Sequence, residues 1–216
     1  VRNGRVEIVQ GREYGAITLF PLVLKEPETG KDAIRLDVLS RATALTKVAF
    51  HETTTPDRAW SVEISASTSR PVFLPAGTVL TGGRLDRMIP QDLIIVPGTT
   101  VAVRTIPAEF VRDQRRGEKV LGRMGSSANL APAHLRTQAA LAPGTDLVPG
   151  FVSRFLTYRA EGDRHRTLEA IGASPVFVSN IRPYGRAFEN FPTLYEKRVV
   201  GWIAVVGGRV HGLEIY

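Results

Sequence analysis

Residues 71–105, PVFLPAGTVLTGGRLDRMIPQDLIIVPGTTVAVRT, decide how this chain is read. Short apolar runs at Val72-Phe73-Leu74, Thr78-Val79-Leu80, Leu93-Ile94-Ile95-Val96 and Thr100-Val101-Ala102-Val103 are punctuated by Pro75-Ala76-Gly77 and Pro97-Gly98-Thr99. Proline presets the backbone angle that opens a tight turn, and glycine reaches positive φ without steric cost, so each triplet reverses the chain. Short strands at such close spacing predict an antiparallel sandwich or small barrel-like sheets, not a doubly wound parallel sheet. With one or two short helices elsewhere, the fold class is α+β and β-rich.

Upstream, Trp60, Val62 and Ile64 alternate with Ser61, Glu63 and Ser65, the period of a strand with one buried face. Val48-Ala49-Phe50 reads as sheet. Ile17 to Leu24 reads as a buried strand in which Pro21 demands an edge, bend or bulge. Between them, Leu36, Leu39 and Ala42 recur three apart, which predicts a short amphipathic helix over Ile34–Leu45.

Downstream, residues 113–150 turn polar and rich in glycine and alanine, an excursion from the sheet. Asn129 is placed to cap a helix running to about Leu141, with Pro132 in its first turn and Pro143-Gly144 ending it. Phe151–Tyr158 and Val176-Phe177-Val178 read as further strands. Tyr184, Phe188, Phe191 and Tyr195 read as aromatic cover for a core edge. At the end, Trp202–Val206, Gly207-Gly208 and Arg209–Tyr216 form a hairpin pattern. The whole, 1–216, is read as a single domain.

The chain has 216 residues, 43% hydrophobic and 23% charged, enough to bury a sizeable core. It contains no apolar run near the roughly 20 residues that cross a bilayer, and its first residues lack the apolar centre of a secretory signal. A soluble, cytoplasmic protein without membrane partners is expected. Without cysteine there are no disulfides, thiolate nucleophiles or thiolate metal sites. The net charge of +7 favours encounter with anions, nucleic acid among them. The densest basic cluster, Arg112, Arg115, Arg116, Lys119 and Arg123, is interrupted by Asp113 and Glu118 and has no interleaved aromatic ring for a base to stack on. It reads first as a solvated loop.

The chemistry-bearing residues concentrate in Gly82-Gly83-Arg84-Leu85-Asp86-Arg87. Gly82 and Gly83 allow another group close to the backbone, while Arg84 and Arg87 offer forked donors to a carboxylate or phosphate. Asp86 can orient an arginine or accept from a ligand hydroxyl. The competing reading is a bulged turn held by an Asp86–arginine pair. His51 and Glu52 are adjacent, and a paired imidazole and carboxylate could exchange protons, but on a strand neighbours point to opposite faces, which favours separate surroundings over a shared site. His134, His165 and His211 have no zinc-binding spacing, and no serine carries a triad signature. No metal and no cofactor are predicted.

Four stretches carry a resemblance: YGAITLFPL (14–22), IRLDVLSRATALTKVAFHE (34–52), residues 64–103 around the central motif, and VVGWIAVVGGRVHGLEIY (199–216). In this order they resemble the prokaryotic ADP-ribosylglycohydrolase- and rhodanese-phosphatase-associated protein domain family, whose name records associations and not an activity. The family's central motif resembles an acidic Asp-Gly-Glu-Glu turn, then Leu-x-Gly, then an Asn-Arg ending. Ala76, Gly77, Thr78, Val79, Leu80 and Gly82, then Asp86 and Arg87, stand at the matching positions. The glycines and Arg87 persist, but Ala76, Thr78 and Val79 cannot ionise. A further family glutamate falls at Pro107, with Glu109 two residues on. The resemblance thus implies a divergent member.

Together these readings predict a ligand-binding or interaction domain without turnover. Its candidate site is Arg84, Asp86, Arg87, Glu52 and Glu109, with Gly82 and Gly83 as points of backbone approach. The expected partners are an anionic or phosphorylated small molecule, or a protein, including a second copy of the chain. Two alternatives stand beside it: an enzyme or accessory protein acting on ADP-ribose, a nucleotide or another phosphorylated substrate, and an oligomeric scaffold associating through sheet edges.

Overall fold

The computed structural model describes residues 6–25, 36–39, 47–53, 61–83, 85–108, 123–141, 150–151, 168–191 and 199–215. Contacts divide the chain into two units, one formed by 1–33 with 175–216 and the other by 34–174. The architecture is β-rich with antiparallel sheets, as the proline-glycine spacing predicts. Among the described residues no helix is long and apolar enough to cross a membrane.

In the first unit, β1 (Val6–Ile8), β2 (Arg12–Tyr14), β3 (Ile17–Leu24), β14 (Val199–Val206) and β15 (Arg209–Ile215) form a five-stranded antiparallel sheet. Its order is β1-β3-β14-β15, with β2 also on β3. Pro21 fits in the middle of β3 because the flanking strand is broken there: β1 pairs 22–24 and β2 pairs 17–19. A missing N–H costs no ladder bond at such a gap, and the Pro21 carbonyl still accepts from Val9 N at 3.1 Å. The β14–β15 turn is Gly207-Gly208, with φ of 54° and 78°, both in the left-handed region that a two-residue hairpin turn requires.

Helix α3 (Pro175–Phe188) belongs to this unit. It corrects the strand expected at Val176–Val178. Pro175 sits at the first helical position, where its lacking N–H costs nothing. Phe177, Ile181, Tyr184 and Phe188 then recur at helical spacing over a length that outweighs three β-branched or aromatic neighbours. Tyr184 meets Tyr14 edge-on at 5.2 Å, and buried Phe191 lies 5.7 Å from Trp202 and under the Arg12 guanidinium at 5.5 Å. Tyr195 lies outside the described residues.

In the second unit, a seven-stranded antiparallel sheet runs β11-β6-β5-β13-β8-β9-β12. Its strands are β5 (Val48–Glu52), β6 (Ser61–Ala66), β8 (Thr78–Thr81), β9 (Arg87–Met88), β11 (Thr100–Arg104), β12 (Ile106–Pro107) and β13 (Arg123–Leu130). The two end strands, β11 and β12, are consecutive in the chain and separated only by buried Thr105, so the sheet is nearly closed like a barrel. A smaller sheet, β10-β7-β4, joins β10 (Leu93–Ile95), β7 (Val72–Leu74) and β4 (Asp37–Val38). Phe50, Val62, Ile64, Val72, Leu74, Leu80, Ile95 and Met124 form the common core of these sheets. Fully burying each such side chain contributes about 1.5–3 kcal/mol.

Three expectations in this unit are corrected. Asp37–Val38 is a strand parallel to β7, not a helical turn, and Asp37 N donates to Pro71 O at 2.9 Å. The open edge of β7 supplies a pairing that a three-residue apolar period over so short a segment cannot outweigh. Leu39 is helical and buried, as expected, and residues 34–35 and 40–45 of the expected helix lie outside the described residues. Residues 123–130, taken as part of an excursion, are the strand between β5 and β8, so Asn129 starts no helix. Their sequence RMGSSANL has no period-two signal, and it is strand because its neighbours on both sides require a partner. Helix α1 (Ala133–Leu141) begins after Pro132, and α2 (Leu168–Ala173) follows beside β8 and β13. Gly150 and Phe151 are helical, correcting the start of the strand expected from Phe151. Trp60, His165, the rest of 151–158 and residues 109–122 lie outside the described residues.

Candidate functional site

Strand alternation sends Val48, Phe50 and Glu52 of β5 to the interior, while His51 stays exposed. The expectation that His51 and Glu52 face apart is met. On β9, Arg87 lies opposite Leu80 of β8, and antiparallel partners share a face, so Arg87 points inward beside a fully buried leucine. Curling of the sheet across β13 and β8 then brings the ends of β5 and β9 together, 35 residues apart in sequence.

The result is a buried ion pair. Arg87 donates to Glu52 Oε1 from Nη2 at 3.0 Å and from Nε at 3.3 Å. The two side chains are 4% and 1% accessible. A carboxylate and a guanidinium lose most of their hydration at such burial, and mutual attraction with well-directed hydrogen bonds is what offsets that loss.

The glycine loop closes over the same carboxylate. Gly83 has φ of +60°, and a Cβ there would stand 2.5 Å from Glu52 Cδ and under 3 Å from both its oxygens. Glycine is thus required twice, by backbone conformation and by space. Asp86, itself buried, accepts from Gly82 N at 2.9 Å and holds the loop's first amide. Its own carbonyl accepts from Ala108 N at 2.8 Å, tying the motif to the residue after β12.

Glu52, Gly82, Gly83, Asp86 and Arg87 therefore come together as one cluster. Arg84 and Glu109, the other candidate residues, lie outside the described residues. The Glu52–Arg87 partnership was within reach of the sequence: inward alternation puts a glutamate at the end of β5, and a buried acid needs a cation. What the sequence lacks is the curvature that selects Arg87. Among the described residues no group of three or more histidines, aspartates or glutamates is placed to hold a metal ion.

At the positions matching the family's acidic turn, the chain has a neutral, packed turn. Ala76 N donates to Asp92 Oδ1 at 2.6 Å, Thr78 Oγ1 to Pro75 O at 2.7 Å, and Thr78 and Val79 are buried. The stem of Arg136 from α1 lies against Gly77, filling the space of a side chain there.

A model of the ARG and Rhodanese-Phosphatase-superfamily-associated Protein domain matches residues 5–145. That segment contains three of the four resembling stretches and the whole described cluster, and ends before the terminal hairpin at 199–216, which the resemblance had included. Neither the curated proteins nor the solved structures contain a match to the chain.

Proposed function

The chain belongs to the ARG and Rhodanese-Phosphatase-superfamily-associated Protein domain family, and from that premise we propose that it is a binding or interaction domain without turnover. In this reading its central glycine-arginine motif fastens the fold. The observation that supports it is the sealed Glu52–Arg87 pair, with side chains 4% and 1% accessible under the Gly82-Gly83 loop. A guanidinium committed to a buried carboxylate is a poor receptor for a phosphate, because binding one would first require breaking that pair. A carboxylate so enclosed is likewise out of reach of a substrate proton.

A thermal-shift screen with ADP-ribose, nucleotides, sugar phosphates and inorganic phosphate tests this reading. We expect no stabilisation at millimolar concentration; a ligand present at 100 times its dissociation constant would add about 2.7 kcal/mol. Stabilisation by ADP-ribose that disappears in Arg87→Lys, at unchanged fold by circular dichroism, would overturn the reading in favour of a phosphate site. Conversion of the ligand to product would overturn it in favour of an enzyme.

A further inference from the structure

The five-stranded sheet ends at β15, which among the described residues pairs only with β14. Such an edge presents backbone N–H and C=O groups that another strand can pair. We propose that it takes the same edge of a second copy of this chain, antiparallel and centred on Gly212, joining two sheets across a twofold axis. The inference rests on the interaction reading and gives it a partner, through residues separate from the Glu52–Arg87 cluster.

The register carries the argument. Across β14, Gly201, Ile203 and Val205 face one side of the sheet and Trp202, Ala204 and Val206 the other. Their partners place Ile215, Leu213 and Val210 on the first side, and Glu214, Gly212 and Arg209 on the second. His211 is the extra residue where the register shifts between Ala204 and Val205. In an uninterrupted strand, residues 209 and 214 would face opposite sides. The bulge moves the alternation by one residue and puts them on the same side.

Leaving out bulged His211, the edge reads Arg209, Val210, Gly212, Leu213, Glu214, which is self-complementary when reversed. Antiparallel partners share a face, so Arg209 meets Glu214 of the second copy, Val210 meets Leu213, and Gly212 meets its own counterpart. Twofold symmetry makes each of the first two contacts twice. Both sides of the sheet are satisfied together: charge against opposite charge on one, apolar against apolar on the other.

The apolar side gains lateral contacts across the seam. Val210, Leu213 and Ile215 are 70%, 58% and 64% exposed. They continue the rows Leu213–Ile203–Phe20 and Ile215–Gly201–Leu22–Ile8 across the sheet. An open apolar edge of this kind invites unlimited association, whereas a twofold contact consumes the edge and stops.

Sedimentation velocity on the 216-residue chain, from about 1 to 100 μM, tests the proposal over the range where micromolar association is visible. The expected species at the upper end has twice the 23.6 kDa mass of the chain. Arg209→Glu and Glu214→Arg each set like charges face to face in both symmetric contacts, and each should weaken association about tenfold or more. The double reversal should restore it, which a folding defect would not do. Because the chain has no cysteine and a side chain at Gly212 would enter open space, Gly212→Cys should give a disulfide-linked dimer on oxidation. A chain that stays monomeric throughout, or a dimer indifferent to both single reversals, would overturn the proposal. A dimer that is also stabilised by ADP-ribose would uphold this edge while removing the reading without a phosphate site.

Discussion

Glutamate and arginine pair inside this chain at one place and, in the proposed dimer, across two copies at another, and the surroundings give them opposite consequences. Glu52 and Arg87 lie inside a nearly closed sheet, under a glycine loop and out of water. Arg209 and Glu214 lie on the edge strand of another sheet, Arg209 exposed and Glu214 half-buried. In the first place both charges are committed within the chain, so removing one leaves the other in a medium that cannot solvate it. In the second, water and salt screen the exposed Arg209, so it adds little to folding and instead selects which surface fits against which. The residue types are the same, and burial decides between a fastener and a recognition code.

The comparison breaks most directly at Arg87. Arg87→Ala strands the Glu52 carboxylate and should lower stability by about 3–5 kcal/mol, measured by urea unfolding. Glu52→Met with Arg87→Met removes both charges, and the pair should recover most of that loss, since well-packed apolar replacement of a buried ion pair is often neutral or stabilising. If the single and double variants cost the same, the pair is no fastener.

Gly83→Ala should cost about 2 kcal/mol, combining a left-handed conformation with crowding of the carboxylate beneath it. Repeating it in a Glu52→Ala background separates the two: the crowding vanishes and only the backbone part remains, a non-additivity expected of residues in contact. Asp86→Ala comes next, at about 1–2 kcal/mol, because it takes the acceptor from the Gly82 amide. Asp86→Asn keeps an oxygen able to accept that bond and should cost less.

How far the sequence reaches differs between these places. Strands whose side chains alternate, such as Val62 and Ile64 against Ser61 and Glu63, are legible because burial on one face writes itself into every second residue. The terminal hairpin is legible because its turn needs glycine twice. Residues 123–130 are not, since their strand is imposed by β5 and β8 and their own side chains carry no period. The cluster was half legible. Gly82, Gly83, Asp86 and Arg87 stand close in sequence, but their link to Glu52 depends on how tightly the sheet curls, which no local pattern encodes. The bulge at His211 is hidden for the same reason: only the observed register shows the alternation changing step.

The smallest effect on folding is expected at the other end of the comparison. Arg209→Glu, diluted until the wild-type chain is monomeric, should leave the urea midpoint unchanged, because an exposed side chain on an unpaired edge has little to lose. As concentration rises, the wild-type midpoint should climb, since association that occurs only in the native state stabilises it by mass action. The variant's midpoint should stay level. A fall in the midpoint already at dilution would mean that Arg209 supports its own fold, as Arg87 does, and the division between the two places would disappear. A level midpoint in the variant beside a climbing one in the wild type would locate the whole effect in the contact between copies.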